Sequence, residues 1–166
     1  MHSRKTIAAL ALATGLLAPT ALTTTPAAAT TATTATAGSC RVELYDVDAG
    51  NVADRDGRDE IRFLVDGNLF PRINANYFGM NAGGDGDPGD FEDPTSIILS
   101  SQDVDFDLRE TDGPVWGQGD LLGTVTALGS TCAGLTTGAT RTITRTLTGN
   151  EQTAYSYVVS LEMTAL

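Results

Sequence analysis

The chain has 166 residues, with 21 acidic and 10 basic side chains and a formal net charge of −11 at pH 7. All the acidic residues and eight arginines follow residue 37, so residues 38–166 carry a net charge of 8 minus 21, or −13. A surface of that charge repels phosphate backbones, so nucleic acid is excluded as an expected partner.

Residues 1–37 have the pattern of a secretory signal peptide followed by an Ala/Thr-rich low-complexity segment. Two basic residues precede an apolar run at residues 7–17, which is much shorter than the roughly 20 residues that span a bilayer. Small-x-small motifs at 27–29 and 35–37 offer two cleavage sites. We therefore expect a secreted, extracellular protein with a single domain at residues 38–166.

The two cysteines, Cys40 and Cys132, are an even pair in a chain that we expect to be exported. This predicts one disulfide bond. Closing a loop of 92 residues could stabilise the fold by about 4–5 kcal/mol in the chain-entropy model. The lack of C-x-x-C spacing disfavours a redox role.

Apolar residues alternate with a period of two along most of the chain, which predicts β-strands. Pro71 lacks an N–H group and marks its strand as an edge strand. Residues 139–163 are predicted to form a long hairpin that turns at Gly149-Asn150. The strands before it are CRVELYDV (40–47), EIRFLVDG (60–67), NLFPRI (68–73), ANYFGM (75–80), TSIILSS (95–101), VDFDLRE (104–110) and LLGTVTAL (121–128).

These segments make about eight or nine short strands separated by turn residues, and no segment shows sustained helical spacing with caps. The pattern is typical of an antiparallel sandwich or barrel. The fold class that we predict is all-β, an antiparallel eight-stranded β-sandwich.

The candidate chemistry is limited by missing residue types. Residues 38–166 contain no histidine and no lysine, which excludes histidine-activated nucleophiles and zinc sites built on imidazole. Carboxylates remain, and they can bind a hard cation or act as a glycosidase pair. They gather in three loops: Asp46, Asp48, Asp54, Asp56, Asp59 and Glu60; then Asp85, Asp87, Asp90, Glu92 and Asp93; then Glu110, Asp112 and Asp120.

Two of these loops carry a more specific pattern. DRDGRDEIRFLV (54–65) places aspartates just before a strand, and VDFDLRETDGPVWGQGDLLG (104–123) places spaced acids after a strand and before Asp-Leu-Leu-Gly. Together they resemble the C2 domain, a calcium-dependent membrane-binding sandwich of eight antiparallel strands. The resemblance implies a calcium site between the two loops. Its metal ligands would be Asp54, Asp56, Asp59, Glu110, Asp112 and Asp120.

Two further features bear on this site. Trp116, the single tryptophan, would either contact a partner at the loop tip or fold back over the end of the sandwich. Arg55, Arg58 and Arg62 lie among the acids of the first loop. They could neutralise that loop by ion pairs and remove the need for calcium.

The sequence therefore predicts a secreted, non-enzymatic binding module that holds calcium between acidic loops. It leaves the partner open among cell-surface lipid, glycan and protein. One alternative is an acidic structural or inhibitory secreted protein without a metal, in which the carboxylates are solvated surface. A third is a carboxylate-dependent glycoside hydrolase.

Overall fold

The structure, a computed structural model, describes residues 35–72, 77–111 and 117–166. Two five-stranded antiparallel sheets pack against each other, which confirms the predicted all-β sandwich. The described residues form ten strands where the sequence predicted eight. The strands are β1 (Ser39–Asn51), β2 (Arg58–Val65), β3 (Asn68–Phe70), β4 (Phe78–Asn81), β5 (Asp85–Gly86), β6 (Thr95–Leu99), β7 (Val104–Glu110), β8 (Asp120–Ala127), β9 (Thr140–Asn150) and β10 (Ala154–Ala165).

Nine of the ten strands overlap the seven segments and two hairpin arms drawn along the sequence, and only β5 is additional. In the first sheet, β1 pairs with β10 and β10 pairs with β9, while β5 and β6 both pair with β1. In the second sheet, β2 pairs with β7 and β7 pairs with β8, while β3 and β4 both pair with β2. The two-residue β5 lies in a glycine-rich segment that has no alternating apolar residues, so strand periodicity does not detect it.

The core follows from the alternation that the sequence shows. In β10 every second residue from Tyr155 to Ala165 is buried, because successive side chains of a strand point to opposite faces of the sheet. The second sheet contributes the buried residues of β2, β7 and β8. Those are Ile61, Phe63, Val65, Val104, Phe106, Leu108, Leu122, Val125 and Ala127.

The predicted disulfide bond is present between Cys40 and Cys132, with Cα atoms 5.9 Å apart. It joins the start of β1 to a short helix, α1 (Gly129–Ala133). The residue directly before Gly38, the predicted start of the domain, also packs against this body. Ala37 is buried, and its N–H donates to the carbonyl of Leu135 at 2.9 Å.

The long hairpin is present, but its predicted turn is wrong. Gly149 and Asn150 remain in β9 and pair with β10, and the turn lies at residues 151–153. Glycine is needed at 149 for another reason: the ring of Tyr155 lies where a β-carbon would stand. The Tyr155 hydroxyl donates to the carbonyl of Leu122 in the second sheet at 2.7 Å, so this close approach ties the two sheets together.

Two short helical segments lie outside the sheets: α1 and a 3-10 helix at Pro88–Phe91. Within the part of the chain that the structure describes, no helix is long and apolar enough to cross a membrane.

Candidate metal site

Two connections, the β1–β2 loop and the β9–β10 turn, meet at one end of the sandwich. Thr153, in the turn, donates its N–H to the Ala53 carbonyl at 2.7 Å and its hydroxyl to the Val52 carbonyl at 2.6 Å. Gln152 donates from Nε2 to Oδ1 of Asp54 at 2.7 Å. The end of β7 lies beside the start of β2, where the Thr111 N–H donates to the Glu60 carbonyl at 3.0 Å.

Asp59 organises the β1–β2 loop. Its carboxylate is fully buried and accepts hydrogen bonds from the N–H groups of Ala53 at 2.7 Å and Asp54 at 2.8 Å. Its Oδ2 also accepts the Tyr157 hydroxyl at 2.5 Å. Hydrogen bonds to an ionised group are among the stronger ones in proteins. Asp59 therefore fixes the backbone on which Asp54 is carried.

Tyr157 connects this loop to the core, because its side chain is buried and its hydroxyl donates to Asp59. Burial, the hydrogen bond to Asp59 and the neighbouring carboxylates of Asp59, Glu110 and Asp54 all raise the pKa of its phenol. The phenol therefore keeps its proton and remains a donor to Asp59. The carboxylates of Asp54, Asp59 and Glu110 therefore all lie near the phenol of Tyr157.

Three carboxylates come together at this end. Asp54, Glu60 and Glu110 each offer an oxygen, and these oxygens lie within 4.8 Å of one another. Asp54 and Glu110 are buried, with 9% and 3% exposure, and Glu60 is half-buried. Repulsion between two full charges about 5 Å apart is roughly 3 kcal/mol at an effective dielectric constant near 20. Protons, hydrogen-bond donors or a cation must offset such repulsion, and this group could hold a metal ion.

The three arginines of the first loop form contacts other than the ion pairs that the sequence suggested. Arg62 is buried and donates from Nη1 to the Gly117 carbonyl at 3.1 Å and from Nη2 to the Pro71 carbonyl at 3.0 Å. Its burial lowers the pKa of the guanidinium. Arg55 donates to the Gln152 carbonyl at 3.4 Å, and the guanidinium of Arg58 covers Gly79.

The structure brings together two of the six residues that the sequence predicted as ligands, Asp54 and Glu110. Asp59 lies beside them as the loop's hydrogen-bond acceptor. Asp56 is exposed and accepts the Arg58 N–H at 3.0 Å. Asp120 is exposed at the start of β8, where it pairs with Glu110 across the sheet.

Asp112 and Trp116 lie outside the residues that the structure describes. Their predicted roles, as a metal ligand and as a partner contact or cap, stay predictions. Glu110 marks the strand end from which the segment containing both residues departs.

Three residues of this end were not predicted as part of the site: Glu60, Gln152 and Tyr157. Glu60 belongs to the first acidic cluster, and its position directly after Asp59 was the available signal. For Tyr157 the available signal was weaker. The alternation in β10 predicts that its ring is buried, and a buried hydroxyl needs a hydrogen-bond partner. Nothing in the sequence indicated that Gln152, 98 residues from Asp54, would reach it.

A second group of carboxylates, Asp46, Asp48 and Asp85, also offers oxygens within 4.8 Å of one another. It lies where β1 pairs with β5, and Asp48 and Asp85 face each other in register. Asp48 and Asp85 are exposed and Asp46 is half-buried. Partial burial, followed by the charges of Asp48 and Asp85, raises the pKa of Asp46.

Comparison with known protein families and with curated protein sequences finds no match to this chain. The resemblance to the C2 domain therefore stays a prediction from the two acidic loops.

Proposed function

We propose that the protein is a secreted, non-enzymatic binding module that holds one calcium ion at the end of the sandwich. The ion is coordinated by Asp54, Glu60 and Glu110. The observation that carries the proposal is that Glu110, at the end of β7, meets Asp54 and Glu60 from the β1–β2 connection, with two of the three carboxylates buried. Burial matters because a solvated acidic loop places its charges in water, whereas these side chains lie largely out of it.

The donor set favours a hard cation. All three candidate ligands are carboxylates, and the chain after residue 37 contains no imidazole. Calcium takes six to eight oxygen ligands at variable geometry, from carboxylates, main-chain carbonyls and water. Magnesium requires a stricter octahedral arrangement and loses its water reluctantly. A site assembled from one loop and two strands therefore suits calcium better.

The surrounding contacts support a positioned site. Asp59 holds the backbone of Asp54, and Gln152 holds the Asp54 side chain. In well-built metal sites, such outer contacts orient the ligands and raise affinity. Export agrees with this function, since the disulfide bond is typical of oxidising compartments. Calcium would then link the β1–β2 loop to the end of β7 and fix the surface that meets a partner.

Thermal unfolding with and without calcium tests the proposal. At a calcium concentration about 100 times Kd, binding to the folded state contributes about 2.7 kcal/mol, which corresponds to a rise in Tm of roughly 10 °C for a domain of this size. The double variant Asp54→Asn, Glu110→Gln removes two charges with little change of shape. It should lose the rise, and magnesium should produce a smaller rise than calcium in the wild type.

The matched control is the double variant Asp48→Asn, Asp85→Asn, which removes two charges from the exposed group. It should keep the full calcium response. An unchanged wild-type Tm at millimolar calcium would instead support the alternative, an acidic structural or inhibitory protein without a metal.

A further inference from the structure

Strand β9 forms one edge of the first sheet. It pairs with β10 along one side, and among the described residues no strand pairs with its other side. It is 11 residues long, it contains no proline, and its only charged side chains are Arg141 and Arg145. Natural proteins usually shorten, charge or cover such an edge, because its free N–H and C=O groups can pair with another chain.

A groove of about 260 Å³ runs along this edge. β8 and β9 contact each other where Leu147 packs over Gly123. Beyond this contact, the groove is bounded by Thr126 and Leu128 at the end of β8, by α1, and by the first half of β9. Leu128 is 44% exposed at its rim.

Two arginines, Arg141 and Arg145, line the groove. They occupy the same side of β9 as the buried Leu147, yet both are exposed. Neither forms an ion pair with a carboxylate of the described residues. Asp105, beside the groove, accepts the hydroxyl of Thr126 at 2.6 Å. Two arginines without an ion pair to the described carboxylates therefore lie at one edge of a chain that carries 21 acidic residues.

The spacing of these cations limits what they can bind. Residues four apart on a strand are separated by roughly 13 Å, a spacing that two side chains four residues apart on an extended partner reproduce. The half-buried Ile143 lies midway between them on the same side of the strand. The edge thus presents a cation, an apolar side chain and a second cation at regular intervals.

We propose that this groove binds an extended acidic segment of another protein, which adds to the sheet alongside β9. Main-chain hydrogen bonds to the free edge would supply affinity, as in other cases of strand addition. Cross-strand side chains lie about 5 Å apart. Carboxylates four residues apart in the ligand would therefore face Arg141 and Arg145, and an apolar residue between them would face Ile143.

A second copy of this chain is a poorer occupant. Two β9 strands paired about a two-fold axis would bring the arginines of both copies to one face, and like charges in cross-strand positions are destabilising. An acidic strand has the opposite charge and the same spacing. This proposal is independent of the calcium site, which lies among other residues.

Titration of the full protein with synthetic peptides tests the proposal. The probe carries two glutamates four residues apart with a valine midway, and the comparison peptide has glutamines in place of the glutamates. We expect the glutamate peptide to bind at least about tenfold more tightly, and its affinity to fall with added salt. The variant Arg141→Gln, Arg145→Gln should lose this preference, whereas Arg72→Gln, an exposed arginine outside the groove, should retain it.

A third peptide tests strand pairing itself. N-methylation of alternate residues on the edge that faces β9 removes main-chain donors but keeps the charges. It should abolish binding if the peptide adds to the sheet. Equal binding of the glutamate and glutamine peptides, or no binding of either, would overturn the proposal. So would self-association through β9 that the glutamate peptide does not displace.

Discussion

The two groups of three carboxylates contain the same kind of side chain at the same spacing, but they differ in their surroundings. Asp46, Asp48 and Asp85 lie on a strand pair where water reaches them, with two of the three exposed. The other group lies at the end of the core, where two of its three members are buried. Water solvates the first group, whereas the second depends on groups that the protein or a ligand supplies. Burial, more than the number of acids, distinguishes a candidate site from an acidic surface.

The largest effect should come from Asp59, which supports the buried group. Asp59→Ala leaves three donors around a buried position without their acceptor. Each unsatisfied buried donor costs about 1–3 kcal/mol, so we expect a loss of about 4 kcal/mol in the free energy of unfolding, measured by denaturant titration. Asp56→Ala, at an exposed aspartate three residues earlier, should change it by less than about 1 kcal/mol. Equally small losses of unfolding free energy in Asp59→Ala and Asp56→Ala would contradict the view that burial makes Asp59 more important than Asp56.

A smaller effect should follow from Tyr157→Phe. The change removes one hydroxyl that donates to Asp59 and keeps the ring, which is buried in the core. Loss of a hydrogen bond to a charged acceptor costs about 1.5–3 kcal/mol. A double-mutant cycle with Asp59→Asn measures the coupling between the two side chains. Additive effects would contradict the view that Tyr157 acts on the loop through Asp59.

The smallest effect should come from the exposed group and depend on pH. The pKa of Asp46 is raised by burial and by Asp48 and Asp85, so the folded state disfavours its charged form. This penalty is absent below the ordinary aspartate pKa of 3.8 and develops as pH rises through the folded-state pKa. Asp46→Asn should therefore match the wild type in stability below the ordinary aspartate pKa of 3.8 and be slightly more stable than the wild type at neutral pH. Urea unfolding at several pH values tests this, and a variant less stable than the wild type at pH 7 would contradict it.

The sequence predicted the features of the fold that depend on periodicity. Alternation in β10 predicted the buried face from Tyr155 to Ala165, and two cysteines in a chain expected to be exported predicted the disulfide bond. The turn at Gly149-Asn150 was wrong because glycine there accommodates the Tyr155 ring. A dipeptide that commonly forms turns does not reveal whether its glycine is needed for backbone conformation or for space.

The candidate site was predictable in part. Strand alternation already placed Asp59 in phase with Ile61 and Phe63, and Glu110 in phase with Phe106 and Leu108. Both acids therefore extend the buried face of their strands, a signal stronger than their membership of acidic loops. The contribution of Gln152 depends on the meeting of two distant loops, and local sequence carries no information about it.

Calorimetric titration of the chelator-treated protein with calcium shows whether Asp54, Glu60 and Glu110 hold an ion. We expect one ion per chain in the wild type, unchanged stoichiometry in Asp48→Asn, Asp85→Asn, and no binding in Asp54→Asn, Glu110→Gln. Absence of binding heat in the wild type at millimolar calcium, confirmed by equilibrium dialysis, would contradict it, as would loss of the ion from the exposed-group variant alone.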